Sequence, residues 1–265
     1  MSAPDEGGRL ANRVPWLAAR RGGTGARGRR LGTIPAMTQT RRRDALLVLL
    51  TAAAGAVNVV SLTGLGGVPA SIMTANLVVA GLSITRHEGA AGSHAGVALA
   101  GFIVAVFLTA RLLRAWDEHA KVATERSVWP RPAAVVIAAE ALALAALAIA
   151  WGLADGRPAG AGQLTLCGVA AFAMGGQSAA VRALGVTDVS TTFFTGTLTD
   201  AVRGLAGPGP ARWSRAASGL VALVAGAAAE GALLTYGQPR LGPLLPLVLV
   251  CCVAALSLRG FSREG

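Results

Sequence analysis

The chemistry this chain offers rests on a few polar residues set in apolar runs. Asn58 and Gln177 are single amides in otherwise apolar stretches, and Glu140 is a carboxylate in a third. A polar group without a partner in hydrocarbon is costly, so each must face a hydrogen-bonding neighbour, a solute or a proton. For Glu140 a proton-coupling role is one reading and a bond to a neighbouring helix the other. Two short motifs add hydroxyls and an amide: Ser71-Ile72-Met73-Thr74-Ala75-Asn76-Leu77 and Thr192-Phe193-Phe194-Thr195-Gly196-Thr197-Leu198. Each follows a glycine-containing break and opens a helix-like run. Thr74, Asn76, Thr195 and Thr197 thus fall where a helix start leaves unpaired N–H groups and partial positive charge. They read as N-caps. If the two starts meet at mid-membrane they also form a pocket for an anion or carboxylate, with Gly196 allowing close backbone approach.

Catalysis finds little support. There is no H-E-x-x-H or G-x-S-x-G, and Gly176-Gln177-Ser178-Ala179-Ala180 lacks the closing glycine. His87, His94 and His119 lie in connectors or at a span edge and read as surface residues. Cys167, Cys251 and Cys252 lack metal-type spacing and read as small packing residues. No catalytic residue, metal or cofactor is expected. The net charge of +11 does not point to nucleic acid. Its basic residues lie in the tail and between apolar blocks, without interleaved aromatics.

Hydrophobic residues make up 53% of the chain and charged residues 14%, where a soluble domain carries about a quarter charged. A bilayer core of about 30 Å needs about 20 helical residues. Ala45–Gly64, Ala95–Ala110, Ala133–Ala154, Gln163–Val181, Ala216–Tyr236 and Leu241–Leu258 meet or approach that length. Arg111 can extend the short second block by snorkelling. Ile72–Thr85 and Thr192–Leu205 are apolar but too short to cross, which favours re-entrant segments. The expected fold is an all-α polytopic bundle of six spans and two re-entrant helices.

Asn58 aligns with Gln177, and Leu65-Gly66 with Leu184-Gly185. Each half reads span, break, short segment, span, span. Residues 44–154 and 162–259 form the two repeats of one membrane domain, 44–259. An odd number of spans per half inverts the second repeat, a transporter design. The break after each amide is a partner within reach, which favours a structural role for Asn58 and Gln177. Contact with a solute is the alternative.

The arginine- and glycine-rich residues 1–43 cannot bury a core and are expected to form a disordered tail. Met37 offers a second start within them, and the first span is expected to be retained rather than cleaved. In the six-span arrangement all of the 24 Lys and Arg residues except Arg86, Arg157 and Arg240 fall on one side. That side is then cytoplasmic and holds both termini, including a short tail at 260–265. Trp116, Trp129 and Trp213 would mark the inner interface, and Trp151 and Tyr236 the outer one. Glu230 sits near enough to the outer end to reach water.

At these residues the chain resembles the YoaK-like bacterial membrane proteins, a domain family of unknown function. The first-half motif resembles G-x-x-D, a glycine-rich link and M-T-G-N-L, matched by Gly55, Asn58, Gly66, Gly67, Met73, Thr74, Ala75, Asn76 and Leu77. The second resembles G-x-Q-N and T-G-T-L-T, matched by Gly175, Gln177, Ser178, Thr195, Gly196, Thr197, Leu198 and Thr199. Asn58, Ala75 and Ser178 depart from the pattern's Asp, Gly and Asn. The resemblance implies the architecture and a place in the bacterial inner membrane, and it names no substrate. The reading from sequence is a transporter of a small solute, with a non-transporting scaffold or regulatory partner as the alternative. Its expected partners are the bilayer, that solute and, in a homo-oligomer, further copies of the chain, with no nucleic acid.

Overall fold

The computed structural model describes residues 33–119, 130–184, 194–205 and 210–259. The chain divides into two units, Met1–Thr38 and Gln39–Gly265, and the helical bundle belongs to the second. Its helices are α1 (Thr33–Gly64), α2 (Met73–Arg86), α3 (Gly89–His119), α4 (Arg131–Leu153), α5 (Gly160–Ala183), α6 (Phe194–Leu205), α7 (Pro210–Tyr236) and α8 (Leu244–Arg259). A 3-10 turn, Pro239–Leu241, precedes α8. No strand occurs among the described residues.

Six segments are long and apolar enough to cross a membrane, the last being the 3-10 turn together with α8 (Pro239–Ser257), and they overlap the six expected spans almost throughout. α2 and α6, at 14 and 12 residues, reach only about 21 and 18 Å at 1.5 Å per residue. α1 starts earlier than expected. Residues 33–43, assigned from sequence to a disordered tail, are helical. Pro35 suits a first helical turn, and the Ala, Met, Gln and Arg residues that follow favour helix.

Contacts between side chains fix the relative directions of the spans. Gln163 Nε2 donates to Gly64 O at 3.0 Å and Gln177 Nε2 to Leu50 O at 3.1 Å, so α1 and α5 run antiparallel. Asp44 pairs with Arg215 at 3.5 Å, and farther along, a Cβ on Gly226 would land on the Ala52 carbonyl; α1 and α7 are therefore parallel. Cys167 approaches His94 O, and Gly175 lies against Phe102 O, so α3 and α5 are parallel too. Trp151 near the end of α4 meets Gly64 and donates to Pro239 O at 2.7 Å. Arg42 bonds Leu256 O, joining the start of α1 to the end of α8. Hence α1, α4 and α7 run one way and α3, α5 and α8 the other.

The enclosed centre is built by α1 and α5, whose spans are 67% and 61% buried, against 17% and 22% for α3 and α7 and 39% for both α4 and α8. Small residues make this possible. A Cβ on Gly55 would collide with the Leu223 carbonyl and one on Gly101 with that of Gly168, so backbones touch where glycines face them. Trp151 departs from its expected place at an interface. It is 2% exposed, packed on Gly64, with its indole N–H satisfied by the Pro239 carbonyl of the turn before α8.

Candidate functional site

The first break is a buried loop held by three side chains. Gly66 and Gly67 take φ of 92° and 76°, left-handed values that favour glycine, and reverse the chain after α1. Residues 65–71 then run back beside α1 until Ser71 reaches Asn58. Asn58 Nδ2 donates to Ser71 Oγ at 2.7 Å, and Ser71 N donates to Asn58 Oδ1 at 3.1 Å. Ser61 donates to Val68 O at 2.7 Å, and Asn76 Nδ2 to Pro69 O at 2.8 Å. Leu65, Val68, Ala70 and Ser71 are buried. Non-helical backbone at membrane depth is tolerated only when enclosed in protein and hydrogen-bonded, and these side chains meet that need. Asn58 thus bonds the break beside it, the contact that the structural one of its two readings describes. Ser61 was not singled out from sequence, although it lies three residues beyond Asn58 on the same helical face.

Capping fails as an expectation for α2. Its N-cap is Ile72 and no side chain caps it; instead Ala75 N and Asn76 N bond Ile72 O. The Asn76 side chain points back to the loop carbonyl of Pro69. Thr74 is exposed, as are Thr195 and Gly196 in α6, while Thr197 is buried. Among the described residues, then, the expected hydroxyls and glycine do not converge on one interior pocket. The second break, residues 185–193 with Asp188, lies outside the described residues.

Four buried side chains keep oxygens without a hydrogen-bond partner among the described residues: Asn76 Oδ1, Gln177 Oε1 and both carboxylate oxygens of Glu140 and Glu230. The amide assignments are fixed by their other ends, since Asn76 and Gln177 each donate to a carbonyl. Gln177 bonds α1 across the bundle centre. Glu140 is 3% exposed and lines a cavity of about 170 Å³ between α3, α4 and α5.

Glu230 corrects a reading made from its position near the end of a span. It is fully buried, because the turn and Gly242 fold over it: a Cβ on Gly242 would lie 3.5 Å from Glu230 Oε1 and 3.4 Å from Trp151 Nε1. His94 likewise is not a plain surface residue. Its ring packs on Gly66, and Nδ1 lies 2.8 Å from Ala90 O. Cys167 is a buried packing residue as expected, but Cys251 and Cys252 face outward. No cluster of His, Cys, Asp or Glu suited to a metal occurs among the described residues.

The loop residues Gly66 and Gly67, the amide at Asn58 and the Met73–Leu77 helix start are the first-half motif seen in three dimensions. The family model described as "Protein of unknown function (DUF1275)" matches residues 46–257, from the first span to the last. The chain belongs to this family. It is also 29% identical over 171 residues to "UPF0700 transmembrane protein YoaK" of Bacillus subtilis (strain 168), covering 64% of this chain and 71% of that protein. No solved structure matches. With six apolar helices of membrane-crossing length, this member of the family is a multi-pass membrane protein.

Proposed function

We propose that the chain moves a small solute across the membrane, and that the solute carries hydrogen-bond donors. The observation behind this reading is the sign of the unpartnered groups. Asn76, Gln177 and Glu140 all leave acceptors open inside apolar helices. An orphaned buried acceptor is costly, so a protein that keeps several is adapted to a visiting donor or to water. An anionic solute, expected from two convergent helix starts, has less support: Thr74 and Thr195 are exposed, and an anion would face oxygens.

In this proposal α2 and α6 are re-entrant and the halves form an inverted repeat. α2 links the end of α1 to the start of α3, and Ser71 lies at the level of Asn58, well inside α1. The matching burial of α1 with α5, α3 with α7 and α4 with α8 favours the same pairing. Both termini are cytoplasmic by the distribution of basic residues. One observation favours the non-transporting alternative: the first junction is packed, and nearly all its polar groups are bonded within it.

Flux separates the two. Proteoliposomes would be offered labelled primary amines, polyols and carboxylates in parallel. A donor-bearing class should enter faster than into protein-free liposomes. Gln177→Leu should slow it about two- to tenfold, the weight of one neutral hydrogen bond, with the protein still folded. Uptake of no class, or of carboxylates alone, would count against the proposal.

A further inference from the structure

The cavity that Glu140 lines has features that none of the sites above requires. Its floor is Ala105 and Thr109 of α3, Val136 and Glu140 of α4, and Ala173 and Gly176 of α5. Its remaining walls include Leu108, Leu112, Val135 and Phe172, all exposed apolar residues on membrane-spanning helices. The opening therefore faces the side of the bundle, where acyl chains lie, and not its ends. Thr109 and Gly176 leave room on the inner wall, since a Cβ on Gly176 would find only Val136 at 3.5 Å and the Thr109 hydroxyl at 3.9 Å.

An apolar cavity of this size is ordinarily dry, and one of about 150 Å³ accommodates a single benzene ring. This one, at about 170 Å³, also contains a carboxylate that is 97% enclosed and has no protein partner on either oxygen among the described residues. Chemistry that satisfies both features is an apolar body of about ring size carrying one N–H donor group with positive charge. We infer that this cavity is a binding site for small lipophilic amines, entered from the bilayer, with Glu140 receiving the ammonium and the apolar walls receiving the hydrocarbon. Glu140, for which a proton-coupling role is one of the two readings from sequence, offers proton and ammonium the same two oxygens, so the two compete. The site requires no transport step, and its test is an equilibrium one.

The test uses the full chain in nanodiscs of zwitterionic lipid, with empty nanodiscs as the baseline. Benzylamine is the probe, toluene its uncharged isostere and benzoate its anionic counterpart. Benzylamine should bind saturably at one site per chain, and toluene and benzoate far more weakly. Glu140→Gln should weaken benzylamine roughly thirtyfold or more, the effect of removing one partner from an enclosed charge pair, while leaving toluene unchanged. Ala139→Phe supplies a second variant if Glu140→Gln folds poorly. Ala139 is an exposed lining residue, so a ring there blocks the mouth while the carboxylate stays, and benzylamine binding should be lost. Equal binding of toluene and benzylamine would mean that the cavity holds hydrocarbon, such as an acyl chain, and would overturn the proposal. So would benzylamine binding that survives both substitutions, or none above the empty-nanodisc baseline. Failure of the flux experiment with success here would leave a ligand site on a protein that does not transport.

Discussion

Asn58 and Glu140 are both polar side chains sunk in membrane-length helices, yet the bundle treats them in opposite ways. Asn58 uses both ends of its amide on Ser71, and with Ser61 and Asn76 it closes a loop whose backbone would otherwise be unsatisfied. Glu140 faces a cavity and bonds to nothing described. The cost of burial is offset locally at the first position and left standing at the second. A buried polar group that completes its neighbours is part of the scaffold. One that completes nothing is retained at the expense of stability, and that expense points to a ligand, a proton or a conformational partner. Gln177 lies between them: one end bonds Leu50 O across the bundle and the other is open.

Substitution should cost most at Asn58. Asn58→Leu would strand the Ser71 N–H and hydroxyl in an enclosed site. A loss of about 2–4 kcal/mol follows from two unsatisfied groups, read by thermal or denaturant unfolding in one fixed detergent. Asn58→Asp keeps the shape. As the neutral acid it accepts from Ser71 N–H and donates to Ser71 Oγ, so it should cost roughly less than half as much. If Asp proved as damaging as Leu, the Asn58–Ser71 pair would not be what holds the loop.

Much of this scaffold was legible beforehand. Six spans follow from apolar block length, and Gly66-Gly67 with Pro69 marks the first break on backbone grounds alone. What failed was facing and depth. Thr74 and Thr195 look like pocket residues by position, but which side of a short helix is enclosed depends on where α3 and α7 pack, and sequence periodicity over so few turns does not carry that. Glu230 and Trp151 were placed at a water interface because they lie near span ends. They are buried because the turn before α8 folds back over them. The loop's other anchor, Ser61, had a signal in its spacing from Asn58. The Glu140 cavity had none, since it depends on how α3, α4 and α5 pack against one another.

At the α1–α7 crossing neither partner is polar. Gly226→Ala puts a methyl group onto the Ala52 carbonyl, a backbone atom that cannot swing aside. The two helices must separate, which costs about 1–3 kcal/mol by overpacking. Gly231→Ala is the control: it lies about 1.4 turns farther along the same helix, and a Cβ there meets nothing within 4 Å. Equal stabilities for the two variants would mean that α1 and α7 do not touch through these glycines.

The smallest effect should be at Glu140, and its sign matters more than its size. Glu140→Leu removes two unpartnered oxygens and fills similar volume with carbon, beside a cavity that has space to spare. Replacing an unsatisfied buried polar group by an apolar one of like shape is near neutral or stabilising. The variant should therefore unfold within about 1 kcal/mol of the parent and on the more stable side, opposite in sign to Asn58→Leu under identical conditions. Glu140→Gln should fall between, since it keeps a polar group but not the charge. A destabilisation of Glu140→Leu comparable to that at Asn58 would mean that the carboxylate completes a structural network, and the contrast between a satisfied scaffold amide and an open acid would collapse. Stability retained together with loss of benzylamine binding would separate the two roles within one set of variants.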